Sequence, residues 1–558
     1  MLNAKYYHKR FVLGFLGLAK TQRVFIREAT GLVRAWSIWD AFIYNVMCLA
    51  IPVGFGLYFS LAPFDFPGAD VVLATLFTIF VFLPVGIAYA MMTSTLPRTG
   101  GDYVFQSRGL HPAIGFMNGF AFIVIIDALF TAIDGVLIGT IVLSPSLNVL
   151  GVAVGNQALQ AAGTWFGTAT GSFIFCVICI IYSWLICLLG MKTFAITQKV
   201  AFVIGLIGAA ATVLIFASAS NSAFISAFNT FARAYTSNPD PYHAMINAAN
   251  SGGFVTNQPP SLSATFLSVT ILGFSFVGMA WSVQNAGEIK DASKFKNQTI
   301  IIVGCLLFGA ALLGLLGFFM VRAVGKEFLA AVGYLFLTGN SAYSIPVGPY
   351  YYLFAIILNP NPILAFFIIA WGVLWVVYPV AAGPMGGARF MLAAAFDRTL
   401  PTKLGGVSER FHTPSLAIAV YCILSIVFAA LYVYVPVVGT FTLDVALGLV
   451  VLLIGTCAAC IILPYKNKEI YESAAISKYK VGGVPLMSIV GAISLVLLLW
   501  LLYAYATINA LGVNSLGGSA EFLFGVYIFS LALYYVAKWY RKREGMDLSL
   551  VFKAIPPE

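Results

Sequence analysis

The chain has 558 residues, of which 61% are apolar and only 9% charged, with a net charge of +10 and a mean hydropathy of +0.95. Charged residues make up about a quarter of an ordinary soluble chain, so this composition excludes a soluble globular protein and describes an all-α polytopic membrane protein. The basic excess calls for no nucleic-acid partner, because the placement of the basic residues accounts for it.

At the start, Lys5 to Arg10 precede a nine-residue apolar run, Phe11 to Ala19. Lys20, Arg23, Arg27 and Arg34 continue the charge after it, which favours a cytoplasmic tail over a signal peptide. A spanning helix needs about 20 mostly apolar residues. Twelve runs meet that length: 36–61, 70–95, 113–143, 166–189, 194–218, 263–286, 299–321, 362–388, 415–435, 442–463, 485–511 and 519–538. With both termini inside, 27 of the 30 basic residues are cytoplasmic, and only Arg233, Arg322 and Lys326 fall outside. That asymmetry sets the orientation in a cytoplasmic membrane.

The outer loop at 219–262 is rich in Asn, Ser, Ala and Pro and nearly uncharged, so no packed core is expected there. The outer segment 322–361 is more apolar and is expected to hold a short helix over the outer mouth. The expected organisation is a tail at 1–35, a ten-helix core at 36–464 with repeats at about 36–218 and 263–464, helices 11 and 12 with their preceding loop at 465–538, and a cytoplasmic tail at 539–558.

The two halves carry matched irregularities. Span 1 has Asn45, Met47, Cys48, Leu49 and Ala50 ahead of Pro52, Gly54 and Gly56; span 6 has Gly273, Phe274, Ser275, Phe276, Val277 and Gly278 near its middle. Spans 3 and 8 are both longer than a straight crossing requires. Matched interruptions point to a five-plus-five inverted repeat. Broken helices persist in a membrane only where they are buried in protein or line a wet cavity. Their free N–H groups suit a carboxylate and their free carbonyls an ammonium. A lone glycine in a spanning helix more often serves close packing; the matched pair favours a binding site.

Other chemistries find no support. Most of the eight cysteines lie in apolar spans, including Cys176, Cys179, Cys457 and Cys460, and the four histidines are scattered. This pattern reads as packing, with no metal site, no cofactor and no disulfide framework. No catalytic set, phosphate loop or ring of pore residues is visible, which argues against an enzyme, an ATP-driven pump or a channel.

Three segments then acquire meaning together. The first is Pro97-Arg98-Thr99-Gly100-Gly101-Asp102-Tyr103-Val104-Phe105, with Arg108, Pro112, Gly115, Phe116 and Gly119. The second is Ser275-Phe276-Val277-Gly278 with Ala286-Gly287-Glu288-Ile289-Lys290-Asp291, and the third is Arg389, Ala394, Asp397, Leu400-Pro401, Arg410 and Thr413-Pro414. In this order they resemble the amino acid–polyamine–organocation (APC) superfamily over roughly residues 35–465. The resemblance implies a fold similar to the bacterial leucine transporter, with two extra helices, and an amino acid permease working by alternating access. It places the substrate carboxylate at Met47, Cys48, Leu49 and Ala50, with Asn45 nearby. It places the amino group at Phe274, Ser275, Phe276, Val277 and Gly278, with Phe274 or Phe276 as the outer gate. A polyamine or other organocation is the alternative cargo.

Asp127 and Asp134 in span 3 are seven residues apart and share a face. Asp127 is read as a proton site, a contact to a cationic substrate or a structural carboxylate, and Asp134 is expected to lie close enough to the outside to be wet. Ala370 to Gly387 of span 8 holds no Ser or Thr for sodium, and span 5 has no lysine between Ala201 and Ala210. Proton symport or exchange is therefore expected. Arg98, Asp102, Glu288 and Arg389 are the candidate inner gate, with Arg98 and Asp102 pairing across as an exposed pair worth about 0–1 kcal/mol. The lipid bilayer and a small-molecule substrate are the expected partners; a homodimer stays open.

Overall fold

Apolar segments without water to satisfy their peptide groups fold as helices in a membrane, and the computed structural model of this chain is built that way. It describes residues 31–442, 444–508 and 519–552. Most of the expected N-terminal tail, the end of the predicted eleventh span and the last six residues lie outside the described residues.

Among those described, twelve helices are long and apolar enough to cross a membrane. They are α1 (Ile38–Asp65), α2 (Val71–Thr95), α3 (Pro112–Ala153), α4 (Ala169–Leu188), α5 (Met191–Ser218), α6 (Leu262–Gln284), α7 (Phe295–Val324), α8 (Pro362–Phe396), α9 (Ser415–Tyr434), α10 (Val445–Lys466), α11 (Leu486–Thr507) and α12 (Ala520–Arg543). The strands among the described residues are one exposed hairpin, Lys480–Val481 against Val484–Pro485, turned by Gly482 and Gly483 at positive φ.

Burial sorts the helices. The most apolar stretches of α1, α3 and α6 are each 89% buried, against 33% for α11 and 22% for α12. Three helices thus form the middle of the bundle, and the last two lie at its edge. Large apolar side chains such as Phe80, Leu214, Phe318, Val496 and Phe524 face outward, as a lipid-facing surface requires.

The irregularities come in pairs. α1 breaks at Leu49 and Ala50, where Ala50 takes a left-handed φ of 45°, and restarts at Ile51 with Pro52 in its first turn. α6 is α-helical through Phe276 and 3-10 from Val277 to Gln284, with non-helical backbone at Ala280. α3 spans 42 residues and α8 spans 35. The extra length of α3 is wound in part as π-helix, at Gly119–Ile126 and Ile138–Leu143, and it runs ten residues past the predicted end at 143.

Two expectations about the face opposite the N-terminus are corrected. The segment 219–262 does pack: it forms helices Asn221–Ala232 and Pro241–Ser251, started by Ser220 and Asp240 caps. The segment 322–361 supplies two helices, Lys326–Leu337 and Tyr351–Leu358, where one was expected. Phe224, Phe228, Tyr242, Phe328 and Phe354 are buried against one another, with ring centroids 4.7 Å apart for Phe228 and Phe328 and 4.3 Å for Tyr242 and Phe328. Phe224, Phe228 and Phe231 stand at helical spacing, an apolar stripe that the average polarity of the loop conceals.

Candidate functional site

The breaks in α1 and α6 meet at the centre of the bundle. A methyl group on Gly278 would lie 2.4 Å from the Cys48 carbonyl oxygen, and one on Gly54 would lie 1.7 Å from Ser275 Oγ. At Gly278, which faces backbone, only glycine permits this approach. The half-helix starting at Ile51 has no side-chain cap, so its positive end is left to its surroundings. Asn45 does not offer a free amide here. Its Oδ1 accepts from the Ser282 N–H at 2.8 Å and its Nδ2 donates to the Ile301 carbonyl at 3.4 Å, so it ties α1 to α6 and α7.

A cavity of about 20 Å3 lies beside this crossing. Its wall is Cys48 from the α1 break, Asp127, Phe130, Thr131 and Asp134 from α3, Gly278 and Trp281 from α6, Pro379 and Ala382 from α8, and Leu449 from α10. That volume holds about one water, so the structure is a closed state. Trp281 Nε1 donates to the Ala382 carbonyl at 3.2 Å and fastens α6 to α8 across one wall. Of the other residues named from sequence, Met47, Leu49, Ser275 and Val277 are buried at the breaks without lining the cavity.

Phe274 and Phe276 part company. Phe274 meets Phe130 edge-on at 5.0 Å, at the cavity rim. Phe276 faces away, toward Phe82 on α2 and Gly309 on α7. Of the two gate candidates, Phe274 is the one beside the cavity.

Asp127 and Asp134 both reach the cavity. The Tyr421 hydroxyl of α9 donates to Asp127 and shares a 3.3 Å contact with Thr131. Against the expectation that it lies close enough to the outside to be wet, Asp134 is 1% exposed, and its Oδ1 has no hydrogen-bond partner among the described residues. α3 continues about five turns beyond it, to Ala153, which removes it from the surface.

The N-terminal face is sealed by a deep layer. Glu288, just past α6, accepts from Arg389 Nε and Nη2 of α8 at 2.8 and 3.1 Å, with both side chains almost fully buried. The Trp36 N–H donates to the Glu288 carbonyl and Lys290 N–H to the Trp36 carbonyl, which pins the start of α1 to this point. Arg108 and Asp397 form a second buried pair at 2.6 and 2.9 Å, joined by the Tyr103 hydroxyl at 2.8 Å. Lys199 on α5 pairs with Asp40 on α1 at 2.6 Å.

The segment expected to carry an exposed Arg98–Asp102 pair continues as a buried helix, Gly101–Gly109. Gly100 at φ 94° and Gly101 at φ 31° let it lie on α6, where a Cβ on Gly101 would stand 2.7 Å from the Val283 backbone. Asp102 is 3% exposed and pairs with neither Glu288 nor Arg389. It accepts from Tyr89 Oη at 2.5 Å, Thr456 Oγ1 at 2.5 Å and Gln284 Nε2 at 2.7 Å. Burial pushes its carboxyl up to about 6, against the pull of these three donors. Arg98 is half-buried at the edge of the same layer. The exposed-pair estimate therefore does not apply: Asp102, Glu288 and Arg389, three of the four residues expected at the gate, are buried.

A family model for amino acid permeases matches residues 38–533. No curated protein matches the sequence. Among solved structures, MhsT in complex with L-phenylalanine is similar at a TM-score of 0.52 and 14% identity, over 83% of this chain and 98% of that one. At that identity the likeness concerns the fold: a five-plus-five inverted repeat of the leucine-transporter type, carrying two further helices.

Proposed function

The chain belongs to the amino acid permease family, and from that premise we propose that it moves amino acids across the cytoplasmic membrane by alternating access. The observation that carries the reading is the cavity at the meeting of two broken helices, between a thick sealed layer on one side and the Phe130–Phe274 contact on the other. The substrate carboxylate is assigned to the uncapped half-helix after Ala50, and the amino group to the loosened backbone around Val277 to Ala280. The cavity enlarges around the substrate as one gate opens, and the two gates open in turn.

The distribution of basic residues supports placing the N-terminal face in the cytoplasm. Residues 36–464 are the transport unit, with α11 and α12 attached at its edge. The function is transport with no chemical conversion. Coupling is by proton symport through Asp127, which lines the cavity and accepts from the Tyr421 hydroxyl, or by exchange without an ion.

The experiment is uptake of radiolabelled amino acids into proteoliposomes. Saturable, stereoselective uptake supports a carrier, and uptake that neither saturates nor discriminates enantiomers identifies a channel. Uptake that follows a sodium gradient and ignores a pH gradient overturns the proton version.

A further inference from the structure

Among the described residues, the central cavity is lined by two carboxylates and no basic side chain. From this we infer that the substrate carries two cationic centres, and that Asp134 selects for the second of them. The inference rests on the carrier reading above and narrows it to one substrate class.

Asp127 and Asp134 lie on the regular α-helical stretch Asp127–Leu137. Seven residues bring them back to one face, about 10 Å apart along the axis. Their circumstances differ. Asp127 already has the Tyr421 hydroxyl as donor. Asp134 is equally buried, lines the same cavity and leaves Oδ1 with no donor among the described residues. A buried carboxylate without a partner is costly, and a cationic group entering the cavity is the partner that would hold Asp134 ionised there.

The dimensions agree. The two nitrogens of an extended lysine-length chain are about 7 Å apart, and each ammonium–carboxylate bond adds about 2.8 Å. One such chain can therefore engage both carboxylates. A neutral side chain leaves Asp134 facing apolar groups. A basic amino acid and a diamine share the required chemistry and differ in the carboxylate.

Three probes separate the outcomes, each measured by competition binding and thermal shift on the purified full chain. They are L-lysine, L-norleucine, which lacks the second ammonium, and cadaverine, which lacks the carboxylate. The inference expects lysine, cadaverine or both to bind at least about tenfold tighter than norleucine. Lysine alone identifies a basic amino acid carrier, and cadaverine binding as tightly identifies a diamine carrier. Asp134→Asn is expected to shrink the lysine-over-norleucine preference by about tenfold or more.

Norleucine binding as tightly as both lysine and cadaverine in the unaltered protein overturns the inference, and that comparison stands whether or not the variant folds. So does an unchanged preference in a folded Asp134→Asn protein. Binding of neutral amino acids with rejection of both cationic probes overturns the inference while leaving the carrier reading intact. No binding of any amino acid or diamine overturns both.

Discussion

Removing Glu288 should open the N-terminal face. Glu288→Ala leaves Arg389 buried at 0% side-chain exposure with its countercharge gone. Taking one partner from a buried ion pair costs about 3–5 kcal/mol. The penalty falls on the closed state, because an opened gate lets water reach the guanidinium. At 1.4 kcal/mol per tenfold, the closed–open balance shifts by roughly two to nearly four powers of ten. Cys48 reports the change, since it lines the cavity and is buried in the closed state. In a protein retaining Cys48 as its one cysteine, an impermeant maleimide applied from the N-terminal face should react at least about tenfold faster after Glu288→Ala. Glu288→Met combined with Arg389→Met removes both charges and should return the rate toward that of the parent, because apolar replacement of a buried pair is often neutral. An unchanged rate in a folded Glu288→Ala protein would refute the assignment of this pair as the gate.

The gate should also respond to pH through Asp102. Its carboxyl titrates at about 6 in the closed structure against an ordinary 3.8, the value expected again once an open gate exposes it to water. Protons therefore bind the closed state more tightly. The closing bias is fully present below 3.8 and is lost as pH rises through about 6, with a ceiling near ~3 kcal/mol. A spin-label pair across the N-terminal face should show closure between pH 7 and 5, and Asp102→Asn should abolish that dependence. Gly278→Ala places a methyl 2.4 Å from the Cys48 carbonyl; a loss of about 1–3 kcal/mol in thermal stability is expected, together with lost uptake. Phe228→Ala should cost about 3–5 kcal/mol in the unfolding of the aromatic cap, seen as faster amide exchange in Asn221–Ala232 and Lys326–Leu337.

The parts legible in the sequence are those that leave a local mark. Pro52, Gly54 and Gly56 announce the α1 break, which falls at Leu49 and Ala50. The twelve spans follow from apolar length alone. The α6 break is less well marked. Its departure from helical backbone sits at Ala280, a little past the predicted Phe274 to Gly278, because a change from α to 3-10 winding needs no special residue. The π-wound stretches of α3 are invisible for the same reason.

Contacts between distant elements leave little local mark in the sequence. Glu288 and Arg389 are gate candidates from the sequence, and the fold pairs them. Asp102 is another, yet its donors Tyr89, Gln284 and Thr456 come from α2, the end of α6 and α10. Arg108 and Asp397 both stood in the recognised segments, 289 residues apart, and nothing local to either shows that they bond. The aromatic cap did carry a signal: Phe224, Phe228 and Phe231 repeat at helical spacing inside a loop whose average composition is polar.

The central claim is that the substrate sits where the two broken helices meet. The most direct measurement is a cryo-electron microscopy map of the purified protein with a transported amino acid bound. The account predicts density between Cys48, Asp127, Gly278 and Trp281, with the 20 Å3 cavity enlarged to hold it. Density at another place, with this cavity still closed, would contradict it.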